Sequence, residues 1–203
     1  MALILGVAIA LEFWVPSIHA IRWLCVAIMI GAIFEAFQCV RNTTKSNLKK
    51  NILLYVTFLL WLLLMTVSAY FVGGRPWIIV WLFMIIAGAD IGGWLFGKIF
   101  GGDKMWERLS EHKTWSGQIG GIICGTAMSV LYGLLGTDTF MPQLLWVGIG
   151  VSLLSQYGDL TASFIKRKMG IKDFGNLLPG HGGIMDRFDG WIYVLPLIWL
   201  IIK

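Results

Sequence analysis

Apolar stretches about as long as a bilayer is thick recur along this 203-residue chain, each closed by a break rich in turn-forming or charged residues. A hydrocarbon layer roughly 30 Å thick is crossed by about 20 helical residues, so each stretch predicts a membrane-spanning helix. The runs fall at 1–15, 20–40, 52–72, 77–97, 117–136, 143–165 and 188–203, the first of them short. Pro16, Gly73-Gly74-Arg75-Pro76 and the segment from Gly136 to Pro142 supply the breaks. With 58% hydrophobic and 13% charged residues, the chain has too little polar surface to clothe a soluble core of this size. The expected architecture is all-α, a polytopic integral membrane bundle of about seven segments. It reads as a single membrane-embedded domain over 1–203, with N-terminal spans in 1–84 and the chemistry in 85–203.

Tryptophans near the ends of the runs (Trp14, Trp23, Trp77, Trp115, Trp146, Trp191) suit the membrane–water interface. The first run lacks a basic leader, so a cleaved signal peptide is not expected. Cys25, Cys39 and Cys124 are odd in number and lie in apolar stretches without C-x-x-C spacing. They predict packed thiols, with neither a disulfide nor a zinc site.

Charge asymmetry gives an orientation. The connections 41–51, 98–116 and 166–187 hold 13 of the 16 Lys and Arg residues, while the alternate breaks and the C-terminus hold only Arg22, Arg75 and Lys203. Basic connections stay on the cytoplasmic side, which predicts a cytosolic N-terminus and cytosolic loops at 98–116 and 166–187.

Residues 163–189 gather eight charged side chains and a histidine around Gly180-His181-Gly182-Gly183. Cations and closely approaching backbone N–H groups hold phosphate oxygens, and paired carboxylates hold Mg²⁺. Upstream, Asp159 lies near the end of an apolar span, where an ionisable group either serves function or pairs with a loop lysine. Ser163 and Lys166 follow it at i+4 and i+7, so one helical face runs carboxylate, hydroxyl, ammonium. Asp186 and Asp189 are spaced i, i+3. They are either first-turn decoration or, beside Asp159, part of a metal–phosphate site. His181 reads as a phosphate or substrate contact, with acid–base or purely structural roles open.

A second polar island contains Asp90 among small residues, then Gly97-Lys98, then Ser110, Lys113 and Thr114 before the next helix. Asp90 is either a satisfied acid in a glycine-packed helix or a ligand contact. The Ser110, Lys113, Thr114 set suits phosphate and equally suits a helix cap. Glu12 and Glu35, with nothing phosphate-like near them in sequence, read as helix-packing or headgroup-region residues.

The run Ser163-x-Ile165-Lys166-Arg167-x4-Lys172-Asp173-x-Gly175-x2-Leu178-Pro179-x-His181-Gly182-Gly183-Ile184-x-Asp186-Arg187-Phe188-Asp189 resembles the signature of the phosphatidate cytidylyltransferases, or CDP-diacylglycerol synthases. The likeness extends more loosely to Gly158-Asp159-Leu160, Ser110-x2-Lys113-Thr114-Trp115 and Ala89-Asp90 with Gly97-Lys98, covering about residues 85–189. It implies transfer of CMP from CTP to phosphatidic acid in phospholipid biosynthesis, a homodimer in the bacterial cytoplasmic membrane, and no nucleic-acid partner. It also implies Mg²⁺, with a second cation left open. By motif position, Asp159 and Asp186 are the implied metal carboxylates with Asp189 nearby. Lys166, Arg167, Lys172 and Arg187 join the catalytic set, while Asp90, Lys98, Ser110, Lys113, Thr114, Ser163, Asp173, His181, Gly182 and Gly183 contact substrate. The chain departs from the family pattern at Glu111, where Pro is frequent, at Ser116, where Glu or Gln is usual, and at Ala162, where Glu is common.

Two other functions compete. A transporter would use Asp90 and Asp159 along an ion path, which leaves the polar glycine-bearing loop without a purpose. A CTP-dependent lipid kinase would share the substrates. A CDP-alcohol phosphotransferase needs D-G-x-x-A-R, whereas Asp189-Gly190 is followed by Trp191-Ile192-Tyr193-Val194.

Overall fold

The computed structural model describes residues 18–42, 45–106, 110–137, 141–175 and 182–202, with side chains for 22–41, 51–105, 113–136, 141–175 and 182–202. The first predicted span, Glu12 and His181 lie outside these residues. The described elements are α1 (Ile18–Asn42), α2 (Lys45–Val72), α3 (Pro76–Phe100), β1 (Lys104–Trp106), β2 (Ser110–Thr114), α4 (Trp115–Thr137), α5 (Gln143–Met169), α6 (Met185–Phe188), a 3₁₀ turn (Asp189–Trp191) and α7 (Val194–Ile202). The chain is an all-α polytopic membrane protein with one small ribbon.

Four helical stretches are long and apolar enough to cross a membrane: Arg22–Arg41, Asn51–Val72, Pro76–Phe100 and Trp115–Gly136. Large side chains such as Leu53 (76% exposed), Leu135 (75%) and Phe100 (68%) stand on their outer faces, an apolar surface suited to lipid. The expected start of a span at 52 coincides with a kink at Asn51, whose φ of −122° and ψ of 18° leave the helical region. α5 is about 40 Å long at 1.5 Å per residue, but Gln156 and Asp159 interrupt its apolar character.

The expected span at 188–203 takes another form. The chain makes a single turn in α6, tightens into the 3₁₀ turn at Asp189–Trp191, and only then forms the nine-residue α7. Nine residues rise about 14 Å, half of a hydrocarbon layer. Pro196 sits in the first turn of α7, where its missing N–H has no helical partner to lose.

Two compact units divide the chain, one from 1–76 with 161–203 and one from 77–160. In the first, α1 packs on α2 and α2 on α7. Met65, Leu62, Met185, Ile192 and Val194 are fully buried there, and Trp61 Nε1 donates to the Ile192 carbonyl at 2.8 Å. In the second unit α3 and α4 meet through small residues. A Cβ at Gly92 would lie 2.6 Å from the Gly120 carbonyl oxygen, backbone that has no rotamer with which to yield.

β1 and β2 pair antiparallel, with Lys104 opposite Thr114 and Trp106 opposite Ser110. The Trp115 N–H donates to the Asp103 carbonyl at 3.2 Å, and Ser116 Oγ donates to the Gly101 carbonyl. These bonds tie the end of the ribbon to the start of α4, where Lys113 and Thr114 are presented.

Candidate functional site

In the unit 77–160, a cavity of about 370 Å³ is lined by Asp90, Gly93, Trp94, Lys113, Thr114 and Asp159, among others. α3 supplies Asp90, the end of β2 supplies Lys113 and Thr114, and α5 supplies Asp159. Lys113 Nζ lies 3.3 Å from Asp159 Oδ2, with both side chains part-exposed to the cavity. Thr114 is the N-cap of α4, its Oγ1 accepting the Gly117 N–H at 3.1 Å. That satisfies one of the donors a helix start leaves over. Thr114→Ala is expected to cost about 1 kcal/mol, read as a lower denaturation midpoint in detergent, and Thr114→Ser to restore it. Gln156 Nε2 donates to the Gln118 carbonyl at 3.3 Å, so a buried amide ties α5 to α4 beside the cavity. Lys98 is not part of the lining. Its Nζ rests 5.0 Å from the ring centre of Trp94, one turn earlier on α3. Ser110 lies on β2, and its side chain is outside the described set.

In the other unit the signature loop is organised by Asp186. Lys166 Nζ donates to Asp186 Oδ1 at 2.9 Å, and these side chains are 12% and 7% exposed. Asp186 Oδ2 accepts the N–H groups of Phe174 at 2.9 Å and Gly183 at 3.0 Å. One carboxylate therefore fastens both ends of the loop to α5. Lys166 is available because α5 ends in a Schellman motif. Gly170, at φ +75°, donates to the Arg167 carbonyl at 3.2 Å, and the Ile171 N–H donates to the Lys166 carbonyl at 3.0 Å. The basic last turn, Lys166-Arg167-Lys168, complements the negative end of the helix dipole.

Arg167, Lys172 and Asp173 are exposed around this loop, whereas Ser163 and Arg187 are half-buried. Gly182 takes φ +80° next to Asp186, a backbone form that glycine adopts without strain. Asp189 begins the 3₁₀ turn and accepts the Gly190 N–H at 3.0 Å.

Glu35 corrects the reading of it as a helix-packing or headgroup-region acid. It is 5% exposed, and its Oε2 accepts the Met185 N–H at 3.0 Å. Its Oε1 is buried without a hydrogen-bond partner among the described residues. A Cβ at Gly183 would lie 2.5 Å from Glu35 Oε2, so the glycine is what lets the carboxylate reach the loop backbone. One turn later on α1, Cys39 Sγ donates to the Phe174 carbonyl at 2.6 Å. The signal available in sequence was a carboxylate in an apolar helix with a thiol at i+4, but its partners lie 150 residues away. Glu35→Ala is expected to strip the Met185 N–H of its acceptor and cost about 1–3 kcal/mol. Faster hydrogen exchange at that amide would report it, and Glu35→Gln, which keeps an acceptor oxygen, is expected to restore protection.

Mg²⁺ takes oxygen ligands and is usually held by one or two carboxylates together with substrate phosphates. Asp90 and Asp159, opening onto one cavity beside the Thr114 hydroxyl, are a donor set that fits it. Asp186 has three of its carboxylate acceptor sites occupied and keeps one on Oδ1. Among the described residues, no three acidic, histidine or cysteine side chains converge on one point.

Helices long and apolar enough to cross a membrane, carrying the lysine–carboxylate pairs Lys113–Asp159 and Lys166–Asp186, define a polytopic membrane protein. It belongs to the cytidylyltransferase family, whose model matches residues 1–203. Over 122 residues the chain is 43% identical to a phosphatidate cytidylyltransferase of Staphylococcus aureus (strain COL), a match covering 59% of this chain and 46% of that protein. Phosphatidate cytidylyltransferases of Staphylococcus haemolyticus and Staphylococcus epidermidis are 41% and 42% identical, with the same shares covered. The match thus spans less than half the length of these relatives.

Proposed function

We propose that the chain transfers CMP from CTP to phosphatidic acid, giving CDP-diacylglycerol and pyrophosphate, at the cytosolic face of a bacterial cytoplasmic membrane. The observation that carries this reading is the signature loop fastened around Asp186, with Lys166 buried against it and exposed cations at Arg167 and Lys172. The relatives named phosphatidate cytidylyltransferase support it. So does the excess of Lys and Arg in alternate connections, which argues that both polar loops are cytosolic.

The reaction asks for no protein nucleophile. A phosphate monoester has a second pKa of about 6, so phosphatidate is largely a dianion at neutral pH. One of its oxygens attacks the α-phosphorus of CTP, the bond from that phosphorus to the β-phosphate oxygen breaks, and pyrophosphate leaves with the electron pair. Such transfers are accelerated by in-line positioning and by charge placed where the leaving group gains it. Lys113, Lys166, Arg167, Lys172 and Arg187 are the cations assigned to the phosphates, and Gly182 is the glycine assigned to close backbone approach, the Gly183 N–H being held by Asp186. Asp159 and Asp186 are the proposed Mg²⁺ carboxylates, with Asp189 as a third, an assignment that rests on motif position. The chemistry a bound Mg²⁺ supplies is neutralisation of the triphosphate. His181 remains assigned to substrate, and the assembly is proposed as a homodimer.

CTP labelled at the α- or the γ-phosphate distinguishes the competing functions. Transfer of the α-label to lipid, with the γ-label released in pyrophosphate, is the expected pattern. Transfer of the γ-label to lipid with release of CDP would identify a kinase. Ion flux in proteoliposomes without any turnover of CTP would identify a transporter.

A further inference from the structure

We propose a second phosphate-binding site, for the headgroup of an anionic lipid, between Arg22 and Arg75 at the end of the 1–76/161–203 unit remote from Asp186. The two arginines line a cavity of about 410 Å³ with Phe71, Gly74, Trp199 and Ile202. Arg22 stands 13 positions before Glu35 on α1. At 1.5 Å per residue that is about 20 Å from the helical level at which Glu35 meets the signature loop. The cavity is therefore separate from that loop.

Its chemistry is that of an incomplete anion site. The Arg22 guanidinium lies 4.7 Å from the ring centre of Tyr70 and donates to its hydroxyl at 3.5 Å, while its Nε is buried with no partner among the described residues. Arg75 Nη1 donates to the Ile202 carbonyl at 3.2 Å, a neutral acceptor. Neither guanidinium forms an ion pair among the described residues. Each carries five N–H donors in a planar fork matched to phosphate oxygens, and among the described residues these meet only Tyr70 and the Ile202 carbonyl.

The space for Arg22 is made by the turn. A Cβ at Gly74 would lie 3.1 Å from Arg22 Cζ and crowd the guanidinium out of its position. Phe71 and Trp199, stacked with ring centres 5.5 Å apart, give the cavity an aromatic wall of the kind that sits at headgroup level. Only Arg22, Arg75 and Lys203 among 16 basic residues fall outside the basic connections, yet two of these three converge here. Both guanidiniums are half-buried at a span end, a position at which an anion is a favourable partner. An anionic phospholipid supplies both the phosphate for the fork and an acyl-glycerol body for the aromatic wall.

Native mass spectrometry of the full chain, released from detergent containing phosphatidylglycerol or phosphatidylcholine, tests the site. Wild type is expected to retain phosphatidylglycerol selectively. The Arg22→Gln/Arg75→Gln variant is expected to bind it at least about tenfold more weakly, the equivalent of one charge-assisted hydrogen bond. Gly74→Ala keeps both arginines but displaces one, so it should also weaken retention and serves if the double variant fails to fold. Equal retention of phosphatidylglycerol by wild type and by a folded variant of either kind would overturn the proposal. Binding of inorganic phosphate with no preference between the two lipids would likewise overturn the lipid assignment.

Discussion

Replacing Asp186 by Asn is expected to lower CDP-lipid formation by about 10²–10³-fold, the scale on which a lost electrostatic contact to a transition state acts. The amide cannot reproduce the carboxylate's contacts in either orientation. If its oxygen takes the Oδ2 position and keeps the N–H groups of Phe174 and Gly183, its NH₂ faces Lys166 Nζ, donor against donor at a separation of 2.9 Å. If it flips, both backbone donors lose their acceptor. In either orientation Lys166 is a largely buried cation without a counter-charge, and removing one member of such a pair costs about 3–5 kcal/mol. The companion variant separates structure from chemistry. Adding Lys166→Met to Asp186→Asn removes the stranded charge and is expected to recover much of the lost stability, because apolar replacements of buried pairs are tolerated. Activity is not expected to return, since both the carboxylate and the ammonium belong to the proposed phosphate machinery. Urea or thermal midpoints in detergent, read beside turnover, report the two effects separately.

Asp159→Asn is expected to divide its effects differently. The pair with Lys113 is 3.3 Å long and both side chains are part-exposed, a setting in which an ion pair contributes about 0–1 kcal/mol. The denaturation midpoint should therefore barely move. Turnover should still fall by about 10²-fold or more, because the variant removes a charged oxygen ligand from the proposed metal and phosphate site. A variant that kept near-normal turnover would leave Asp159 as the part-exposed partner of a loop lysine, the structural role that its position also permits. Lys113→Met serves as the control, and it is expected to raise the KM for CTP more than it lowers kcat.

What local sequence controls was legible. The four helical stretches able to cross a membrane follow the apolar runs, the run expected to start at 52 begins at the Asn51 kink, and the break at Gly73 to Pro76 is a helix boundary. The run expected to end at 165 continues as helix to Met169, where Gly170 closes it in a Schellman motif. The final run differs in form because hydropathy counts apolar residues without registering that the chain makes a 3₁₀ turn from Asp189 to Trp191 before α7 begins. The β1–β2 ribbon escaped notice because strands of three and five residues carry too little alternation to distinguish from a polar loop.

The same divide runs through the candidate site. Lys166 and Asp186 announce themselves by charge in an apolar chain, and the pairing between them uses residues only 20 apart. Glu35 and Cys39 stand out far less in an apolar helix. Their meaning appears only when folding brings α1 to the backbone of a loop more than 130 residues later. Thr114 shows a third case, in which one residue answers to both a cap and a phosphate contact, and the cap is what the geometry displays.

Phosphatidate-dependent release of pyrophosphate from CTP by the purified full chain, with and without Mg²⁺, tests the proposed transferase most directly. One pyrophosphate for each CDP-diacylglycerol formed, dependent on both phosphatidate and Mg²⁺, is the predicted result. A correctly folded chain that takes up CTP and phosphatidate yet forms neither product, or that releases CDP instead, would contradict it.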